Sequence, residues 1–93
     1  MTDNENKTLI ETLYGESASI FLSQLRNSDL EAIPFSPNTF HTYYFIKTDE
    51  TTIIIDNDKG MRQAYIYIVG QKNQNQQKKV LSLLEEKTGT HFD

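Results

Sequence analysis

The sequence predicts an α+β fold: a helix, a three-stranded antiparallel β-meander and a C-terminal helix. Three observations predict it. Two runs, Phe40–Lys47 and Met61–Val69, alternate their side chains at a period of two, as strands do. Short turn sequences, Asp49-Glu50 and Asn57-Asp58-Lys59-Gly60, set them off from an isoleucine-rich run between, and turns that short force antiparallel neighbours. Apolar residues at helical spacing occupy both ends of the chain.

Residues 1–6 read as a flexible N-terminus. From Thr8, which forms a capping-box pattern with Glu11, the residues Leu9, Ile10, Leu13 and Tyr14 fit one face of a helix. Gly15 interrupts that face, at about 1 kcal/mol relative to alanine inside a helix. Ile20, Phe21, Leu22 and Leu25 then resume it. Either one helix runs from about 6 to 27, the reading adopted, or a short helix ends near Gly15 and a second begins at Ser17 or Ser19.

Residues 27–39 hold Pro34 and Pro37 among Asn and Ser, and the residue before a proline is kept out of helix, so this is a connecting loop. Strands follow at 40–48, 51–56 and 61–69, with Gly60 placed for a positive φ in the second turn. After the polar run Gln71–Gln77, the residues Val80, Leu81, Leu83 and Leu84 mark the last helix, which Gly89 terminates, leaving 89–93 as a tail. The expected core is Leu9, Leu13, Phe21, Leu25, Ile46, Ile53, Ile55, Ile66, Ile68, Val80, Leu81 and Leu84.

The 93 residues make one small domain, 1–93. A hydrophobic share of 37% with ten aromatics is globular in type, and 24% charged residues suit an ordinary solvated surface. No apolar stretch approaches the roughly 20 residues of a membrane-crossing helix. Met1–Lys7 is polar and acidic where a secretory signal is basic and then apolar, so a cytoplasmic protein is expected. The chain has no cysteine, which excludes disulfides, thiolate zinc sites and cysteine nucleophiles. A net charge of −4 disfavours non-specific nucleic-acid binding. Seven lysines against two arginines, with abundant Asn, Ile, Thr and Gln, suggest AT-rich codons and so a low-GC bacterium or a phage.

Catalytic and metal signatures are lacking. Gly15-Glu16-Ser17-Ala18-Ser19 has neither the second glycine nor the leading strand of a nucleophile elbow. Asp56, Asp58 and Gly60 open like a calcium loop, but the glycine falls one position early and Tyr67 stands where a bidentate glutamate is needed. His41 and His91 lie fifty residues apart without a second ligand at metal spacing. Glu85, Glu86, Asp49 and Glu50 read as solvated charge. The expectation is no enzyme, no metal and no cofactor.

The two alternating runs are apolar on both sides. One face offers Tyr44, Ile46, Ala64, Ile66 and Ile68, and the other Tyr43, Phe45, Tyr65, Tyr67 and Val69. A sheet covered by helices on one side needs only one apolar face. The second is explained blandly if one terminal helix covers each face, or if the loop with Ile33, Phe35 and Phe40 folds beneath. The functional explanation is a protein interface at Tyr43, Phe45, Tyr65 and Tyr67, since tyrosine combines broad contact area with a hydroxyl.

The helix–three strands–helix order with Lys78-Lys79 at the start of the last helix resembles, in topology, the double-stranded RNA-binding domain. That resemblance implies phosphate contacts from Lys78 and Lys79. Gly70-Gln71-Lys72-Asn73-Gln74-Asn75 departs from the family's lead into that helix, and the acidic strand connections depart from its basic loop. The reading adopted is therefore a small acidic protein-binding module: a stoichiometric inhibitor, immunity protein or phage anti-defence protein. Its partner would be a protein, such as a basic nucleic-acid enzyme, or a second copy in a homodimer. The nucleic-acid-binding module is the alternative.

Overall fold

The computed structural model describes residues 6–70 and 73–92. The flexible start, Asn6 apart, lies outside these residues, as do Gln71 and Lys72 of the polar run and Asp93 of the tail. Among the described residues the order is β1 (Lys7–Tyr14), α1 (Gly15–Asn27), β2 (Ile33–Phe35), β3 (His41–Lys47), β4 (Thr52–Asp58), β5 (Gln63–Val69) and α2 (Gln74–Thr88). The strands form one antiparallel five-stranded sheet in the order β1-β5-β4-β3-β2. The three-stranded meander of the sequence reading is thus its centre, extended by one strand on each side. The double-stranded RNA-binding order is not retained, because a strand precedes the first helix and four follow it.

The expected helix over 6–27 is half strand. Leu9, Ile10, Leu13 and Tyr14 have helical spacing because β1 carries a bulge: its register against β5 shifts between Leu9, opposite Tyr67, and Glu11, opposite Ile66. One extra residue reverses the alternation of a strand. Leu9 therefore faces away from the core while Ile10 and Leu13 pack against it. Thr8 is not a cap; its hydroxyl donates to the Gly70 carbonyl at 2.9 Å, tying β1 to the end of β5. Gly15, at φ 55°, separates strand from helix, and its N–H donates to the Arg62 carbonyl at 2.7 Å, which satisfies a donor that the first helical turn cannot.

The expected loop over 27–39 contains β2. This strand is three residues long and is built around Pro34, a residue with no ladder donor, which a sheet accepts at its edge. The β4–β5 turn also differs from expectation. β4 continues to Asp58, the Asp58 carboxylate accepts the Met61 N–H at 3.1 Å, and the positive φ falls on Arg62 at 55° instead of on Gly60. α2 starts and ends by local rules: the Asn73 side chain accepts the Gln76 N–H at 3.1 Å, and Gly89 at φ 75° closes the helix.

Both helices pack on the same face of the sheet. The register makes β1 and β2 parallel at opposite edges, so α1 crosses the sheet between them, and α2 returns from β5 beside it. Ala18, Phe21, Leu22 and Leu25 of α1 and Val80 and Leu84 of α2 bury Tyr44, Ile46, Ile53, Ile55, Ala64, Ile66 and Ile68. Nine of the twelve expected core residues are buried. Leu13 and Leu81 are partly buried, and Leu9 is 50% exposed on the other side. Phe92 joins the core from beyond α2, its ring edge-on to Phe21 at 5.9 Å and its N–H bonded to the Glu85 carboxylate. No helix among the described residues is long and apolar enough to cross a membrane.

Candidate protein-binding face

The sheet face opposite the helices carries Tyr43, Phe45, Tyr65 and Tyr67 together, half-buried by one another. Cross-strand register sorts this face into rows. One row is apolar across all five strands: Leu9, Tyr67, Ile54, Phe45 and Ile33. The next is Thr12, Tyr65, Asp56, Tyr43 and Phe35, an acid flanked by two phenols. Facing side chains on adjacent strands lie about 4.5–5.5 Å apart at Cβ, close enough for each row to form a continuous surface. At the rim, Ile33 is 62% and Phe35 57% exposed. A shallow concavity of about 450 Å³ lies between Lys7, Phe35, Tyr43, Phe45, Ile54 and Val69.

Polar groups fix the aromatic rings. His41 stacks on Tyr43, with ring centroids 6.1 Å apart at 17°, and its Nδ1 lies 2.9 Å from Asp56 Oδ1. The Tyr65 hydroxyl donates to Gln63 Oε1. The Lys7 ammonium stands 4.4 Å from the centre of the Tyr67 ring and 6.0 Å from that of Tyr43, a cation held over two π faces. Burial first, and then the negative charges of Asp56 and Asp58, raise the phenol pKa of Tyr43 and Tyr65 above its ordinary 10.0. Burial and then Asp56 do the same for Tyr67, so all three are neutral hydroxyls at neutral pH.

His41 is an imidazole on this face whose protonation Asp56 favours. Its hydrogen bond to Asp56 is the largest influence and raises its pKa above 6.5, with the charges of Asp56 and Asp58 adding to it and partial desolvation opposing. A raised folded-state pKa stabilises the fold fully below the unfolded value and ceases to do so as pH rises through the folded value. The imidazole is therefore expected to titrate above 6.5 in an NMR pH series. In Asp56→Asn the midpoint is expected to fall, and an unchanged midpoint would dissociate the shift from Asp56.

Lys78 and Lys79 lie elsewhere. Both are exposed on α2, which packs on the opposite side of the sheet, and Lys79 pairs with Glu50 at 3.3 Å. His91 is likewise remote from His41 and sits 3.7 Å from Glu85. Sequence reasoning missed Leu9 and Ile54 as members of the face, and read Ile33 and Phe35 as loop residues folding beneath it where the structure makes them its edge strand. Ile33 and Phe35 do alternate, but over too short a span around a proline to be read as a strand. Leu9 was hidden by the bulge. Comparison of the chain with protein-family models, curated proteins and solved structures returns no match.

Proposed function

We propose that this chain is a non-enzymatic protein-binding module that docks another protein on the sheet face carrying Tyr43, Phe45, Tyr65 and Tyr67, acting stoichiometrically by occupying a surface. One observation carries this reading: the row from Leu9 to Ile33 is apolar on every strand, while both helices pack on the other side. Taking such a row out of water is favourable, and neither helix covers it. At ~3.3 Å per residue along a strand and ~4.8 Å between strands, the face measures on the order of 20 Å by 20 Å. The apolar row crosses its full width and is open at both edges, where Leu9 and Ile33 are exposed. Tyrosine hydroxyls at its surface supply directional contacts without ionic desolvation.

The nucleic-acid alternative draws less from the same geometry, because Lys78 and Lys79 do not share a surface with the tyrosines. The test is Tyr65→Ser with Tyr67→Ser, compared with wild type by light scattering for self-association and by affinity capture from host extract. The double variant is expected to stay folded and to lose the contact by roughly 100-fold or more, as buried aromatic anchors do. A folded double variant with unaltered subunit count and unaltered capture would overturn the reading. Capture that weakens steeply with salt would point to nucleic acid.

A further inference from the structure

Beside α1, a cavity of about 270 Å³ is lined in part by Ser19 and Arg26 of α1, Asn57 of β4, and Lys59 and Arg62 of the β4–β5 turn, with Gln63, which accepts the Tyr65 hydroxyl, at its border with the aromatic face. Both arginines of the chain are among these residues. None of the three cations has a carboxylate within 4.0 Å among the described residues, whereas Lys79 and Lys87 each do. In a chain of net charge −4, three unpaired cations bordering one cavity form a local positive site in an acidic molecule.

Each cation has an ordinary explanation when taken alone. Arg26 lies in the last turn of α1, where a cation complements the helix dipole, and Lys59 stands at an exposed hairpin tip. Arg62 does not fit so readily. Its φ of 55° is the left-handed conformation that glycine adopts freely and a residue with a Cβ resists. Its carbonyl is held by the Gly15 N–H at 2.7 Å, so the strained residue is anchored to the start of α1, the helix that supplies Ser19 and Arg26.

We propose that this cavity binds a phosphoryl group, as a compact dianion. Two guanidinium forks match the oxygen geometry of phosphate, and the ammonium of Lys59 adds charge without directional demand. The Ser19 hydroxyl and the Asn57 amide offer neutral donors beside them. A monocarboxylate would neutralise only one of the three cations. The source is free phosphate or the monoester of a small molecule.

The test is an NMR titration of the full ¹⁵N-labelled chain at constant ionic strength with inorganic phosphate, phenyl phosphate and acetate as probes. Saturable shifts at Ser19, Asn57 and Arg62 with a phosphate probe, and none with acetate, are expected. Tighter binding of phenyl phosphate identifies a monoester source, and equal binding identifies free phosphate. Arg62→Gly is expected to weaken binding by at least about tenfold, while its melting temperature is unchanged or raised, because glycine relaxes the left-handed turn. Arg26→Gln is expected to weaken binding similarly. Lys47→Gln, which removes a cation on the other side of the sheet, is expected to leave it intact. Shifts that never saturate, acetate binding equal to phosphate, or equal losses in Lys47→Gln and Arg62→Gly would each overturn the assignment.

Discussion

Ile66→Ser is expected to destabilise the protein by about 3–5 kcal/mol, whereas Tyr67→Ser, at the very next residue, is expected to cost only about 1 kcal/mol. The two side chains leave the same strand in opposite directions. Ile66 is fully buried between its β4 neighbour Ile55 and the helices, so the substitution removes apolar contacts, leaves a cavity and places a hydroxyl in it. Tyr67 is half-buried on the face without a helix, where the space it vacates is open to water. A domain of this size has about 5–15 kcal/mol of total stability, so the first change alone brings the fold near its limit. Urea unfolding followed by circular dichroism measures both. Equal losses would mean that the aromatic face is as deeply packed as the core, and the proposed interface would lose its basis.

Phe21→Ala is expected to destabilise by about 3–5 kcal/mol, lowering the melting temperature by at least roughly 12 °C. Phe21 is fully buried on α1 and meets the ring of Phe92 edge-on, with 65° between the planes. Phe92 is held in turn by its N–H bond to the Glu85 carboxylate at 2.7 Å, so the segment after α2 closes the space over α1. Phe92→Ala should cost less than Phe21→Ala, because its own site lies nearer solvent and the segment can readjust. A double-mutant cycle between the two rings is expected to show about 0.5–1.5 kcal/mol of coupling. Zero coupling would show that the C-terminal residues do not seal the core.

The central strands were legible because their determinants are local. Alternation in β3 and β5, the isoleucines of β4 and the tight connections between them define the faces without help from the rest of the chain, and the register matches that division residue by residue. The apolar spacing of α2 and its left-handed stop at Gly89 were legible for the same reason, but the helix begins at Gln74 under a cap at Asn73, inside the polar run expected to precede it. The four aromatic residues proposed for the interface follow from that alternation alone.

What the sequence determined by itself was therefore the hairpin core, the second helix and the excess of apolar surface on the sheet. Tertiary structure decided the rest. β1 takes a helix-compatible sequence into a strand because pairing with β5 satisfies its backbone and a single bulge turns Ile10 and Leu13 to the core. β2 exists only because β3 has an edge for Ile33 and Phe35 to join. The side on which α1 crosses is fixed by long-range pairing of strands at the two ends of the sheet, and no local spacing encodes it. That choice places both helices together, leaves the tyrosines without a helix over them, and brings Arg26 to the same cavity as Arg62.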